Sequence, residues 1–145
     1  METSLSQEFL EFNRLYKEEC DIYREVALRL GASNSAISIL YDIFLLGEGC
    51  TQKDICENSF LSKQTVNSAI RKLESDGCIY LKRGRGRSTH IYLTEAGQEL
   101  TRQKILPVLE AETRAFSALG EDRILLNRLL KTYLANLRTQ VQQLK

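Results

Sequence analysis

The feature that most constrains the fold is a change in apolar spacing near the middle of the chain. Up to Leu73, apolar residues recur every three or four positions, which is the spacing of amphipathic helices. After Gly77, residues 78–83 and 89–93 alternate as β-strands do, and the sequence Gly-Arg-Gly-Arg-Ser separates them at residues 84–88. This order predicts several helices followed by a β-hairpin whose tip carries arginines.

Cap signals divide the first part of the chain into two helices. Residues 4–30 predict a long amphipathic helix that ends at Gly31. The apolar run 36–46 predicts a buried helix that begins after Ser33-Asn34-Ser35, where we expect the N-cap. An apolar stripe as long as that of residues 4–30 needs a surface to pack against, and a partner subunit is one candidate.

Two further caps open a closely spaced pair of helices. Thr51 and Asp54 fit a capping box at the start of a short helix over residues 52–58. Ser62 caps the next helix, which runs over residues 63–76 and ends at Gly77. These helices and the hairpin together predict a winged helix-turn-helix, with the helix after Ser62 as its recognition helix.

The C-terminal part is also predicted to be helical. Thr94 caps a helix in which Pro107 predicts a kink or a junction between two helices. Gly120 interrupts the pattern, and residues 121–144 predict a last amphipathic helix. The predicted fold class is therefore mainly α with a small β-hairpin wing, a winged helix-turn-helix core between long N- and C-terminal helices.

The composition excludes several kinds of chemistry. The chain has 145 residues, enough for one domain, and a single histidine, His90. One histidine rules out a Cys₂His₂ zinc site and gives little basis for a catalytic triad, so we expect no metal, no cofactor and no enzymatic activity. Without a C-x-x-C motif, the four cysteines are expected to be small, partly buried apolar side chains; they are Cys20, Cys50, Cys56 and Cys78.

The same composition places the chain away from membranes. No apolar run approaches the ~18–20 residues of a membrane span. The N-terminus has neither the basic nor the apolar region of a secretory signal. We therefore expect a cytoplasmic protein without a membrane partner.

Positive charge is concentrated between Ser62 and His90. Seven Lys and Arg residues against two acidic residues give this segment a net charge of +5, which leaves −4 for the rest of a chain of net charge +1. Such a block can face a polyanion while the remaining surface is repelled from it. A solvated polar face and hairpin tip are the plainer alternative, and a nucleotide-binding glycine loop is disfavoured because residues 84–88 open no helix.

The polar residues in and near this segment suit duplex DNA. Amide, guanidinium and hydroxyl groups on the recognition helix can pair with base edges in a major groove. Arginines at the wing tip suit a narrow minor groove, and cations at the strand end suit phosphate. The residues predicted to contact DNA are Gln52, Ser62, Lys63, Gln64, Thr65, Asn67, Ser68, Arg71, Lys72, Lys82, Arg83, Arg85 and Arg87.

These segments resemble the MarR family of winged-helix transcriptional regulators over essentially the whole chain. The resemblance is carried by TQKDI at 51–55, LSKQTV at 61–66, IRKLESDG at 70–77 and LTEAG at 93–97. It implies a homodimer that binds a palindromic DNA operator, with half-sites about 10 bp apart. Within a single domain of residues 1–145, it implies dimerisation helices at 4–30 and 111–144 and a DNA-binding lobe at 33–97.

Two positions depart from the family pattern. An Asp usually stands two residues before the wing arginine; here Arg87 matches the arginine, and Arg85 occupies the acidic position. Phe60 stands in the helix-turn-helix turn, where a small residue, often Gly, is common. We therefore expect differences in the geometry of the wing and of the turn.

The resemblance also implies a regulatory signal. Many members are repressors released by small aromatic ligands that bind between the dimerisation helices and the DNA-binding lobe. The residues that would line this pocket are Tyr16, Cys20, Tyr23, Tyr41 and Phe44, with ordinary core positions as the alternative for the aromatic ones. Another branch senses oxidants through a cysteine of the first helix, where Cys20 lies among opposing acidic residues.

The predicted function is a sequence-specific, duplex-DNA-binding transcriptional regulator, a homodimeric repressor released by a small ligand. One alternative is a cysteine-based redox-sensing regulator of the same fold. The other is a winged-helix scaffold for protein interactions, which would give no reason for the positive block.

Overall fold

A computed structural model describes residues 4–31 and 34–145 of the chain. It confirms the predicted fold class: a mainly helical protein with one small antiparallel sheet. In chain order the elements are α1 (Gln7–Leu30), α2 (Asn34–Leu46), β1 (Cys50–Thr51), α3 (Gln52–Ser59), α4 (Lys63–Ser75), β2 (Ile79–Arg83), β3 (Thr89–Leu93), α5 (Glu95–Leu100), a π-helical segment (Thr101–Ile105), α6 (Leu106–Ser117) and α7 (Asp122–Gln142). The backbone forms two compact units, Met1–Leu106 and Pro107–Lys145.

Helix α1 is the predicted long N-terminal helix. It begins after Ser6, whose hydroxyl oxygen accepts the Phe9 N–H at 3.1 Å, and it ends at Gly31 with φ 63°. No residue of α1 is buried within the described part of the chain, and most of its apolar side chains are exposed. The N-cap expected for the next helix within residues 33–35 is not at Asn34 or Ser35, because α2 already begins at Asn34; Ser33 lies outside the described residues.

Helix α2 forms the centre of the first unit. Ile39, Leu40 and Ile43 have no solvent exposure, and α2 packs against α3, α4 and the π-helical segment. Burying each such side chain contributes about 1.5–3 kcal/mol. Helix α2 therefore fixes the positions of both helices of the helix-turn-helix.

A buried carboxyl group also joins α2 to α3. The amide of Asn58 donates a hydrogen bond to Oδ1 of Asp42 at 3.1 Å. Burial raises the pKa of Asp42, and the hydrogen bond from Asn58 partly opposes this change.

The sheet has three antiparallel strands in the order β1-β3-β2. The predicted hairpin is confirmed, with Ile79 opposite Leu93 and Arg83 opposite Thr89. Strand β1 was not expected, because two residues are too few to show an alternating pattern. It pairs Cys50 with Ile91 of β3 and thereby places β3 in the centre of the sheet.

The irregularity expected at Pro107 lies just before it. Between α5 and α6 the backbone is π-helical, and the Leu106 N–H bonds the carbonyl of Thr101, five residues back. Pro107 is the second residue of α6, where its missing N–H is tolerated. The hydroxyl of buried Thr101 donates to the Gly97 carbonyl at 2.8 Å within this region.

The second unit contains most of α6 and all of α7. Gly120, with φ 62°, separates the two helices as predicted. Helix α7 has no buried residue, and its exposed apolar side chains include Ile124, Leu125, Leu126, Leu129, Leu130, Leu134 and Leu137. Among the helices described, none has the length and apolar character needed to cross a membrane.

The cysteines follow the expectation only in part. Cys50 and Cys78 are buried and Cys56 is half-buried, but Cys20 is exposed on α1. The expectation of a partly buried side chain is therefore wrong for Cys20.

Phe60 ends α3 in an unusual backbone conformation. Its φ is 57° and its ψ is 19°, the left-handed region that glycine favours, and its side chain is 84% exposed. A side chain in this region costs about 1–2 kcal/mol. The exposed ring buries too little apolar surface to offset that cost within the chain.

We expect Phe60→Gly to be about 0.5–1 kcal/mol more stable than Phe60→Ala, because only glycine removes the strain of a Cβ atom in this conformation. The larger conformational entropy of glycine in the unfolded chain offsets part of this gain. Urea unfolding of both variants measures the difference. The alanine variant controls for loss of the ring, and equal stabilities would contradict the strain at this turn.

Candidate nucleic-acid interface

Helix α4 presents one polar face and buries the other. Val66, Ala69, Ile70 and Leu73 are buried against the first unit. The predicted contact residues of this helix lie on the opposite, solvated face. Lys63, Gln64, Thr65, Ser68, Arg71 and Lys72 are exposed, and Asn67 is half-buried.

The start of α4 is fixed by its predicted cap. The Ser62 hydroxyl oxygen accepts the Thr65 N–H at 3.1 Å, and the two hydroxyl groups lie 2.8 Å apart in a shared hydrogen bond. The first turn of α4 contains no acidic residue. The N-terminus of α4 therefore has the positive end of the helix dipole and the charge of Lys63, with no carboxylate in its first turn.

Helix α3 is fixed by the predicted capping box. The Thr51 hydroxyl accepts the Asp54 N–H at 3.2 Å, and the Asp54 carboxylate accepts the Thr51 N–H at 2.9 Å. The hydrogen bonds that the carboxylate receives from Thr51, first of all from its backbone N–H, lower the pKa of Asp54. Gln52, the only predicted contact residue on α3, is half-buried at the start of this helix.

The wing exposes four cations around one tight turn. Lys82 and Arg83 end β2, and Arg85 and Arg87 lie in the turn. The turn is closed by a hydrogen bond of 3.0 Å from the Gly84 N–H to the Ser88 carbonyl.

Sequence reasoning missed the role of His90 and Ser88 at the base of the wing. The Nδ1 atom of His90 lies 2.6 Å from the Gly49 carbonyl oxygen, and its Nε2 lies 3.2 Å from the Ser88 hydroxyl. A Cβ at Gly84 would overlap the imidazole ring, so glycine makes room for it. The only sequence signal was a lone histidine on the strand that leaves the basic turn.

None of the seven cations between Ser62 and His90 is ion-paired in the part of the chain that the structure describes. The ion pairs there join Arg24 to Asp21, Arg29 to Glu25, Lys53 to Glu57 and Arg102 to Glu99. All four pairs lie outside the positive block. The charge of α4 and the wing is therefore left available to an external anion.

The structure describes both positions at which the sequence departs from the pattern that it resembles. Phe60 holds the turn between α3 and α4 in a conformation that glycine would adopt more easily. The Leu61 N–H that follows donates to the Ser59 hydroxyl at 3.2 Å. At the wing, Arg85, at the position where the resemblance leads us to expect an acidic residue, is exposed and adds a positive charge.

The predicted pocket residues are mostly open to solvent in this chain. Tyr16, Cys20, Tyr23 and Phe44 are exposed, and Tyr41 is half-buried. A hydrogen bond to Cys20 raises the pKa of Tyr16. The alternative expectation of core positions is wrong for Tyr16, Tyr23 and Phe44. Among the described residues, no group of three His, Cys, Asp or Glu side chains could hold a metal ion.

One family model matches the chain locally. Residues 45–80 match a family described as winged helix-turn-helix DNA-binding, a stretch that runs from the end of α2 to the start of β2. No curated protein matches the sequence significantly.

Solved structures match nearly the whole chain. NMB1585, a MarR family regulator from Neisseria meningitidis, has a TM-score of 0.75 at 21% identity, over 94% of this chain and 96% of its own. MepR of Staphylococcus aureus, in a complex with DNA, has a TM-score of 0.62 at 22% identity, over 95% and 99%. PcaV of Streptomyces coelicolor, in complex with its natural ligand, has a TM-score of 0.66 at 14% identity, over 92% and 98%. At these identities the likeness establishes the fold.

We expect Ser62→Ala to lower the free energy of unfolding by about 1 kcal/mol, because the cap of α4 is lost. Ser62→Asp retains a capping oxygen and should stay close to the native stability. Urea unfolding measures both. An equal loss in the two variants would show that the Ser62 hydroxyl does not act as a cap.

Proposed function

We propose that this chain, which has the winged helix-turn-helix fold of MarR-family regulators, is a sequence-specific DNA-binding transcriptional regulator. It acts as a homodimer that represses by occupying a promoter, and a small ligand releases it. The observation that carries the proposal is the positive block on α4 and the wing, whose cations have no ionic partners in the described chain.

In this proposal the two parts of the block meet different grooves. Gln64, Asn67 and Arg71 on the solvated face of α4 read base edges in the major groove. Arg85 and Arg87 of the wing enter the neighbouring minor groove. Lys82 and Arg83 at the end of β2 contact phosphate and hold the register without reading sequence. The other predicted contact residues are Gln52, Ser62, Lys63, Thr65, Ser68 and Lys72.

The homodimer is proposed from the open apolar faces of the terminal helices. Phe9, Ile22 and Tyr23 on α1 and Ile124 and Leu129 on α7 are all more than 40% exposed. Exposed apolar side chains on this scale favour a partner surface, and a second copy of the chain offers the same face. Residues 4–30 and 111–144 would form the dimer, with the DNA-binding lobe at 33–97 repeated on each side.

The PcaV complex supports the part of the proposal that concerns release by a ligand, because PcaV has this fold and its structure is in complex with PcaV's own natural ligand. In this chain Tyr16, Cys20, Tyr23, Tyr41 and Phe44 would line the site once the dimer has formed. A thermal-shift screen of phenolic compounds, followed by DNA binding with each hit, tests this part. A hit that stabilises the protein without weakening DNA binding would count against release.

We expect Arg87→Ala to weaken operator binding by about 1–3 kcal/mol and to reduce the salt dependence by about one phosphate contact. The operator is first selected from random duplexes with the native protein, and fluorescence anisotropy at several salt concentrations then measures the affinity. Arg102→Ala, which removes an exposed arginine outside the block, is the matched control. Failure to select any duplex would favour the scaffold alternative.

We expect Leu129→Asp to shift the protein toward a monomer and to weaken binding to a two-half-site operator more than to a single half-site. The charge would be buried against an apolar partner surface. Analytical ultracentrifugation measures the mass, and Asn127→Asp places the same charge on the same helix as a control. A native chain that is already monomeric when it saturates the operator would refute the homodimer.

A further inference from the structure

We propose that His90 is a positioning residue that ties the wing tip to the sheet through Ser88. The inference rests on the proposed function, because the link is proposed to position the wing arginines on DNA.

A chain of three hydrogen bonds links the tip to the core. Nδ1 of His90 lies 2.6 Å from the carbonyl oxygen of Gly49, in the segment between α2 and β1. Nε2 of the same ring lies 3.2 Å from the Ser88 hydroxyl, which donates to the Arg85 carbonyl at 3.0 Å. His90 belongs to β3, the central strand, so the backbone of the arginine turn is connected to the best-supported part of the sheet.

The positions of the protons determine which of these hydrogen bonds can form together. A carbonyl oxygen only accepts, so Nδ1 of His90 must carry a proton toward Gly49. When the single hydroxyl proton of Ser88 goes to the Arg85 carbonyl, Nε2 of His90 is the donor at the Ser88 contact. When Nε2 instead accepts that proton, Ser88 can no longer donate to Arg85.

The charged groups around the ring are of both signs. Asp54 of α3 lies close enough for His90 to contribute to its lowered pKa, after the larger effect of the hydrogen bonds from Thr51. Lys82 is the partner of His90 in the β2–β3 register, and Arg85 and Arg87 are in the adjoining turn.

The space for the ring is made by Gly84. A Cβ at this position would overlap Nε2 of His90 and would press on the Ser88 hydroxyl, 3.1 Å away. Any side chain at position 84 would therefore displace the two groups that form the link.

Two substitutions of His90 separate its two contacts. The amide nitrogen of Gln reaches about as far as Nε2, and that of Asn about as far as Nδ1. We expect His90→Gln to keep operator affinity within about twofold and His90→Asn to lose about three- to tenfold, the effect of one hydrogen bond. Ser88→Ala should lose as much as His90→Asn, and Ser75→Ala is the matched serine control at the exposed end of α4.

The difference between the two amides is a readout that a merely structural role would not give. Equal operator affinities of the His90→Gln and His90→Asn variants would overturn the proposal.

The link can also be tested without DNA. Because the chain has one histidine, the imidazole signals in an NMR spectrum belong to His90. We expect Ser88→Ala to shift the ring signals more than Ser75→Ala does, since the hydrogen-bond partner of Nε2 is removed. Unchanged ring signals would disprove the link even if the protein binds DNA. Shifted signals in a protein that binds no duplex would disprove the proposed function and leave the link intact.

Discussion

The burial of α2 is the constraint on which the rest of the first unit depends. Ile39, Leu40 and Ile43 are completely enclosed, and α2 is the helix that α3, α4 and the π-helical segment share as a packing partner. Because α4 buries its own apolar stripe on this support, its remaining face is committed to solvent. The packing of the hydrophobic core thus determines that the polar side chains of that face point to solvent, without a need for contacts among these side chains.

The local signals of the sequence were sufficient for most of this architecture. Each cap or turn depends on residues that are close together in the sequence, so each could be recognised separately. Examples are the capping box of Thr51 and Asp54, the cap at Ser62 and the turn at Gly77. The hairpin was predictable for the same reason, since the alternating residues of its strands and the glycines of its turn lie within a short stretch of sequence. The solvated face of α4 follows from its periodicity, whereas contact with DNA for each of its residues remains a prediction.

Features that depend on distant partners were not predictable. Strand β1 exists because Cys50 meets Ile91, and the position of the His90 ring depends on Gly49, far away in the sequence. The π-helical segment precedes Pro107, and the proline pattern alone could not distinguish it from a kink. Phe60 was recognised as unusual for a turn, but its left-handed backbone became evident only in three dimensions.

The lack of ionic partners on α4 and the wing has a consequence for the unbound protein. Arg83, Arg85 and Arg87 lie within five residues and repel one another with nothing in the described chain to compensate. Dissolved ions screen that repulsion over about 10 Å at 0.1 M, and the same ions compete for a nucleic acid surface. Ionic strength therefore acts in opposite directions on this molecule: it relieves the strain of the free state while it weakens the complex.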